Sequence, residues 1–427
     1  MQRIEPSVFK IPTDKLRAGY YTDRYFLRTR DVLRFVNYHH QVGYQFFPRE
    51  DAVICGLDEA IAILKTCSGE YRDPRLAQKW YRQLREVQWN LQRAGYRQLK
   101  TKIMKWEKQR AQIRERLNLL WRNGWEKLKV YALADGTRVK RHEAVLAIVG
   151  NPRYFAHLET PILGVIARPT ATATAVSEVV EAAQGKQVLF FSARFDHYWV
   201  QTADGYAALK AGAFGVSTEA NADYWGVESM GTIPHFLIGC FGGDTVQSFL
   251  NFDKYMPADM NRIALVDWDN DCIGTTAKII ARMIEEKINK TPITEEIFLR
   301  YAPQMIGSGK GKLWGVRFDT AGGLRDRSVT SHGKSSYGVC PELVKKARRE
   351  FDRWGCRNLT IVVSGGFDAV KIRRFERTKV PVDAYGVGSS LLRRKIDITA
   401  DIVEYEGRNC AKVGRQKVDW SRLSRVR

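Results

Sequence analysis

The chain has 427 residues, 44% hydrophobic and 27% charged, with a formal net charge of +22 at pH 7. That length exceeds one ordinary domain and suits two, each with its own core. No apolar run approaches the roughly 20 residues of a membrane helix, and the opening MQRIEPSVFKIP has no signal-peptide core, so a cytoplasmic protein with no membrane partner is expected.

Half of the positive excess falls early. Residues 70–129 hold 17 Lys and Arg against 6 Asp and Glu. Leu76, Trp80, Leu84, Val87 and Leu91 recur at spacings of three and four, the stripe of an amphipathic helix. Gly95 is expected to break that helix, after which Leu99, Ile103, Trp106, Ile113, Leu117 and Leu120 repeat the pattern until Gly124. The spacing predicts a basic helical hairpin over about 74–122. Its cations either solvate an outer face or form an anion-binding surface.

Next, VYALADGTRVKRHEAVLAIVG reads as short strands joined by turns, with Gly136 at a corner, and 171–183 as a helix of small residues. From Gly185 the rhythm becomes strand, polar loop, helix. Candidate strands are VLFFSA, GVST, PHFLIG, IALVDW, LWGVRF, LTIVVSG and AYGVG, with helices over 275–287 and 344–355. Parallel strands with crossover helices follow from this alternation, and the strand count predicts a TIM-like α/β barrel.

In such an architecture chemistry collects where strands end. The ends read in order are Arg194, Ser217, His235, Asp267, Asp319, Ser364-Gly365-Gly366 and Gly386-Val387-Gly388. The two glycine loops let backbone N–H groups approach phosphate oxygens. His235, fixed by the proline before it, can act as acid, base or phosphate acceptor. Asp267 and Asp319 close apolar strands, where a carboxylate needs a partner: a ribose hydroxyl, Mg²⁺ or the next helix N-terminus. The seven cysteines are scattered without a CxxC pair, which gives neither a disulfide framework nor metal-ligand spacing. No metal ligands are assigned.

GYYTDRYFLRT, ICGLDEAIAIL, YALADGT, HLETPILGVI, GTIPHFL, GVRFDT, IVVSGGFD, AYGVGSS and DIVEYEG stand in one order along the chain. On these segments the sequence resembles the nicotinate phosphoribosyltransferases, especially the shorter archaeal-type members. The resemblance covers nearly everything except the basic hairpin. It implies a type II phosphoribosyltransferase fold: an N-terminal α/β sandwich domain over 1–160 carrying the hairpin, an irregular α/β barrel over 161–390, and a tail over 391–427 returning to the N-terminal domain.

The activity implied is formation of nicotinate mononucleotide from nicotinate and phosphoribosyl pyrophosphate with Mg²⁺, coupled to ATP hydrolysis, in NAD synthesis. Quinolinate or nicotinamide are the alternative bases. A non-catalytic relative binding nucleic acid through the hairpin is the alternative of another class. The resemblance places His235, Asp267 and Asp319 in catalysis, with His235 phosphorylated by ATP. Arg194, Ser217, Thr232 and Arg317 are expected on the substrates, and the SGG and GVG loops on the 5-phosphate. Tyr20 or Tyr21 would reach a neighbouring subunit's pocket in a homodimer or higher homo-oligomer. Departures from the family pattern are Phe195 where a second arginine is common, Trp268 after Asp267, Thr320-Ala321-Gly322-Gly323 without a nearby acid, and no cysteine-rich tail to hold zinc.

Overall fold

The computed structural model describes residues 3–427. In chain order it contains α1 (Thr13–Ala18), α2 (Arg24–Phe35), β1 (Val42–Pro48), β2 (Ala52–Val53), α3 (Leu57–Cys67), β3 (Gly69–Tyr71), α4 (Pro74–Tyr96), α5 (Lys100–Leu120), β4 (Trp121–Asn123), β5 (Lys129–Ala132), β6 (Arg138–Val139), β7 (Leu146–Gly150) and α6 (Glu159–Ala182). There follow β8 (Gln187–Phe190), α7 (Gln201–Lys210), β9 (Gly215–Val216), α8 (Glu219–Ala222), α9 (His235–Cys240), α10 (Thr245–Tyr255), β10 (Ile263–Leu265), α11 (Cys272–Ile288), α12 (Glu295–Met305) and β11 (Gly315–Phe318). The last elements are α13 (Pro341–Arg353), β12 (Thr360–Val363), α14 (Ala369–Arg377), β13 (Ala384–Val387), β14 (Ile398–Tyr405), β15 (Arg408–Asn409) and β16 (Ser424–Arg425). The chain divides into two compact units, one of residues up to Ala171 together with Lys395–Arg427, the other Thr172–Arg394.

The first unit is built on an antiparallel sheet of order β15-β14-β1-β7-β5-β16, so the end of the chain supplies strands beside its beginning. All seven residues of β1 are buried, as a central strand requires. Against it packs α3, whose Leu57, Ile61 and Leu64 are buried and whose first turn is capped by the Asp135 carboxylate, accepting from the Leu57 N–H at 2.8 Å.

In the same unit α4 and α5 pack on each other through Leu84, Val87, Ile113 and Leu117. Gly95 does not break α4. The helix runs on to Tyr96, and the reversal falls at Arg97–Leu99, where Gln98 takes a positive φ of 53°. A glycine in the last helical turn weakens the helix without ending it.

The second unit is a parallel sheet of order β10-β11-β12-β13-β8-β9. It curls into a half-barrel rather than closing: among the described residues β9 and β10 are its unpaired edges. Its core is dense in large side chains, with Phe190, Phe249, Phe318, Phe351, Phe375 and Tyr385 all fully buried, each contributing about 1.5–3 kcal/mol by leaving water. The amphipathic α13 supplies Leu343, Val344, Ala347 and Phe351 to it.

One expected strand is instead a helix. PHFLIG forms α9, beginning at His235. An apolar run of six cannot be told from a short buried helix by pattern alone, and the proline before it suits a helix start.

Candidate active site at the strand ends of the parallel sheet

Because all six strands of the second unit are parallel, their C-terminal ends share one edge, and the loops leaving them meet there. β10 ends at Leu265, and two residues on Asp267 turns its carboxylate to the ring of His235, the first residue of α9. Nε2 of His235 lies 3.0 and 3.1 Å from the two Asp267 oxygens. Asp267 is nearly buried and His235 is 43% exposed, so one face of the ring is held and another is open. The hydrogen bond and charge of Asp267 raise the imidazole pKa above its ordinary value, outweighing burial. Since a carboxylate only accepts, Nε2 carries a proton. In the neutral ring the lone pair is then on Nδ1, the arrangement of an oriented base or nucleophile.

Beside this pair, β11 delivers Arg317 and Asp319. Nη1 of Arg317 donates to Asp319 Oδ2 and to the Ser364 hydroxyl, both at 3.0 Å, and Ser364 donates to Asp319 Oδ1 at 2.8 Å. Nη2 of Arg317 reaches the Ile233 carbonyl at 3.4 Å, which ties the segment carrying Thr232 and His235 to the same strand end. Nε of Arg317 is buried without a hydrogen-bond partner among the described residues, so this guanidinium keeps donor capacity in hand.

The glycine loops close on this cluster. Gly365 has φ 86°, a conformation that L side chains avoid, and a Cβ there would stand 3.1 Å from Asp319 Oδ1. A Cβ at Gly386 would stand 2.6 Å from the Phe191 ring and 3.2 Å from Ser364 Cβ, so the two loops are neighbours. Ser192 donates to the Gly388 carbonyl at 2.9 Å, and Phe195 packs against the same glycine. That is the place in the fold of the phenylalanine standing where a second arginine is common.

Arg194 is exposed on this loop with its guanidinium 5.1 Å from the Phe195 ring centroid. Its neighbour Phe195 is the residue seen against the GVG loop. Trp268 lies beside His235, ring centroids 6.3 Å apart, over Gly243, where a Cβ would meet the indole Nε1 at 2.6 Å. Ser217 and Thr232 are half-buried, and it is Thr218 that caps α8, accepting from the Asn221 N–H at 3.1 Å. Tyr20 and Tyr21 belong to the first unit, exposed, packed edge to face at 5.0 Å, with Lys15 Nζ over both rings.

One neighbour of the Ser364-Gly365-Gly366 loop lies outside the expected set. Lys371, in the first turn of α14, donates to the Gly365 carbonyl at 3.2 Å and lies 4.0 Å over the Phe367 ring. Burial lowers its pKa to about 8. A lysine six residues beyond the glycine of a strand–loop–helix turn was the available signal.

No family model matches the chain. Solved structures it is similar to have the type II phosphoribosyltransferase fold, which is the fold class of this half-barrel. One is the nicotinate-nucleotide pyrophosphorylase of Pyrococcus furiosus, 26% identical, TM-score 0.65, covering 97% of this chain and 82% of that one. Another is the human nicotinic acid phosphoribosyltransferase, 15% identical, TM-score 0.52, covering 93% and 77%.

In sequence the chain resembles the nicotinate phosphoribosyltransferases. Two from Mycobacterium tuberculosis are each 25% identical, one over 294 residues (68% of this chain, 54% of the relative), the other over 270 (63% and 51%). The chain spans about half the length of the curated relatives it matches. Among the described residues no helix is long and apolar enough to cross a membrane.

Proposed function

We propose that the protein is a nicotinate phosphoribosyltransferase acting in NAD synthesis. The observation that carries this reading is the convergence of the His235–Asp267 pair, the Arg317–Asp319–Ser364 cluster and two adjoining glycine loops on one edge of the sheet. The ring nitrogen of nicotinate bonds to the anomeric carbon of phosphoribosyl pyrophosphate as the carbon–oxygen bond breaks and its electron pair leaves on pyrophosphate. Positive charge develops on the ribose ring. Asp319, held by Arg317 and Ser364, and Asp267 supply fixed negative charge there.

The backbone of Gly365–Gly366 and Gly386–Gly388 receives the 5-phosphate. Arg194, on the loop beside them, faces pyrophosphate or the nicotinate carboxylate, and Ser217 and Thr232 complete the substrate walls. The hard carboxylate oxygens of Asp267 and Asp319 would hold a Mg²⁺ brought with the pyrophosphate, and the ion would offset the charge of that leaving group. Tyr20 or Tyr21 would complete the pocket of a second subunit in a homo-oligomer.

ATP coupling runs through His235 in this reading. Nδ1 of the neutral ring takes the γ-phosphoryl group as ADP leaves, and water later hydrolyses the phosphohistidine. A second reading, with quinolinate as the base and loss of CO₂, is favoured by the likeness to the Pyrococcus pyrophosphorylase. The experiment is incubation with phosphoribosyl pyrophosphate and Mg²⁺ plus nicotinate, nicotinamide or quinolinate, with and without ATP. Nicotinate mononucleotide formed from nicotinate and accelerated by ATP is expected. No mononucleotide from any base defeats the enzyme reading, and product from quinolinate alone replaces nicotinate with the second reading.

A further inference from the structure

In the first unit a cleft of about 1420 Å³ lies among α1, α2, α4 and α5. Ten arginines and Lys15 line it against four carboxylates, Asp14, Asp31, Glu70 and Asp73. Ion pairing answers only part of this charge. Arg153 and Arg34 share Glu70, at 2.8 and 3.9 Å, and Arg114 holds Asp14 at 2.8 Å. The Nε atoms of Arg30 and Arg153 are buried without a hydrogen-bond partner among the described residues. Burying a guanidinium donor unpaired is costly, and packing so many cations together adds repulsion, so the wall is built for anionic oxygens.

The ligand is long rather than compact. The cleft exceeds the roughly 300–1,000 Å³ of a small-molecule site. From its α4 wall the surface continues outward to Trp89 and Tyr96, which are 67% and 93% exposed, with Arg93 5.6 Å over the Trp89 ring. At 100° per residue both rings fall within about 80° of the cleft-facing line through Tyr81, Arg85 and Gln88. Exposed aromatics beside a row of arginines are what a strand of unpaired bases needs, stacking on one and phosphate pairing with the other.

We propose that this cleft and the adjoining face of α4 bind single-stranded nucleic acid. Arginines from α2 and α4 hold successive phosphates, and Trp89 and Tyr96 stack on bases. The site lies wholly within the first unit and, apart from Tyr20 on its wall, uses none of the residues named for phosphoribosyl transfer.

The test is fluorescence anisotropy of a labelled 20-nucleotide oligo(dT) titrated with the full chain. If about four phosphates are neutralised, affinity falls roughly 50-fold between 50 and 200 mM NaCl. Arg75→Glu with Arg85→Glu should weaken binding at least tenfold and lower the salt slope. Trp89→Ala should weaken it about fivefold with the slope unchanged. Arg28→Glu, from the opposite wall, should repeat the charge effect, which guards against a local collapse of α4. Absence of saturable binding at 50 mM salt overturns the proposal, as does less than twofold loss in all these variants. Displacement of the oligonucleotide by inorganic tripolyphosphate at equal phosphate concentration also overturns it, because the site would then be one for a small polyanion.

Discussion

At the scale of single residues, the pairing of His235 with Asp267 has a measurable consequence in pH. The imidazole pKa is raised, so the protonated ring stabilises the fold fully below its ordinary value of about 6.5, and that contribution is lost as pH rises through the raised folded value. In Asp267→Asn the charge disappears while the shape is kept. The His235 pKa, followed by NMR titration of the ring carbons, should fall; an unchanged value would mean that Asp267 does not govern the ring.

Lys371 allows a second prediction. Its ammonium donates to the Gly365 carbonyl and, among the described residues, makes no hydrogen bond to His235, Asp267, Arg317 or Asp319. Lys371→Met should therefore raise KM for phosphoribosyl pyrophosphate about tenfold and change kcat much less, the pattern of lost uniform binding. A fall in kcat at constant KM would assign Lys371 to the chemical step instead.

At the scale of elements, the α4–α5 pair is joined by a small apolar seam. Leu117 is buried between Leu84, Val87 and Ile113, and Leu117→Ala should cost about 2–5 kcal/mol of local stability. Hydrogen exchange should show faster opening of α4 and α5, with phosphoribosyl transfer retained. Loss of transfer in a folded variant would tie the pair to catalysis.

Periodicity exposed these helices because a long amphipathic stripe is hard to mistake. It misplaced their junction, because Gly95 is only a weak breaker while Gln98 takes the left-handed turn. It also read PHFLIG as a strand, six apolar residues being too few to separate the two periods. The parallel strands themselves were legible, apart from closure of the sheet.

At the scale of the whole molecule, two half-buried carboxyls set a pH trend. Burial pushes Glu59 and Glu159 up to about 7. Each is mostly protonated in the fold below about pH 7 and mostly ionised above it. Its contribution is present below the ordinary glutamate value and lost as pH rises through about 7.

The net charge of +22 acts the other way, since repulsion grows as pH falls. Surface repulsion is screened beyond about 8 Å at physiological salt, whereas the Glu59 shift is worth about 3 kcal/mol at most. The two glutamates should win. The Tm at 0.15 M salt should fall by roughly 5 °C from pH 5.5 to 8, and Glu59→Gln should flatten that slope. A Tm that rises over the interval would mean that surface charge dominates.

What the sequence by itself determined was the order of chemistry along the chain. Asp267, Asp319 and both glycine loops each lie at the end of an apolar run, and parallel strands send their following loops to one edge, whereas His235 was marked by the proline before it and opens a helix. The family likeness followed from those same motifs. Only the tertiary structure decided which groups meet: that Arg317 and Ser364 share Asp319, that Nε2 of His235 faces Asp267, and that Lys371 reaches Gly365. It alone decided that the sheet stops at a half-barrel and that the basic residues of α2 and α4 line one cleft. Local pattern sets which face of an element is apolar. Partners 30 to 90 positions apart are chosen by packing, which no local pattern records.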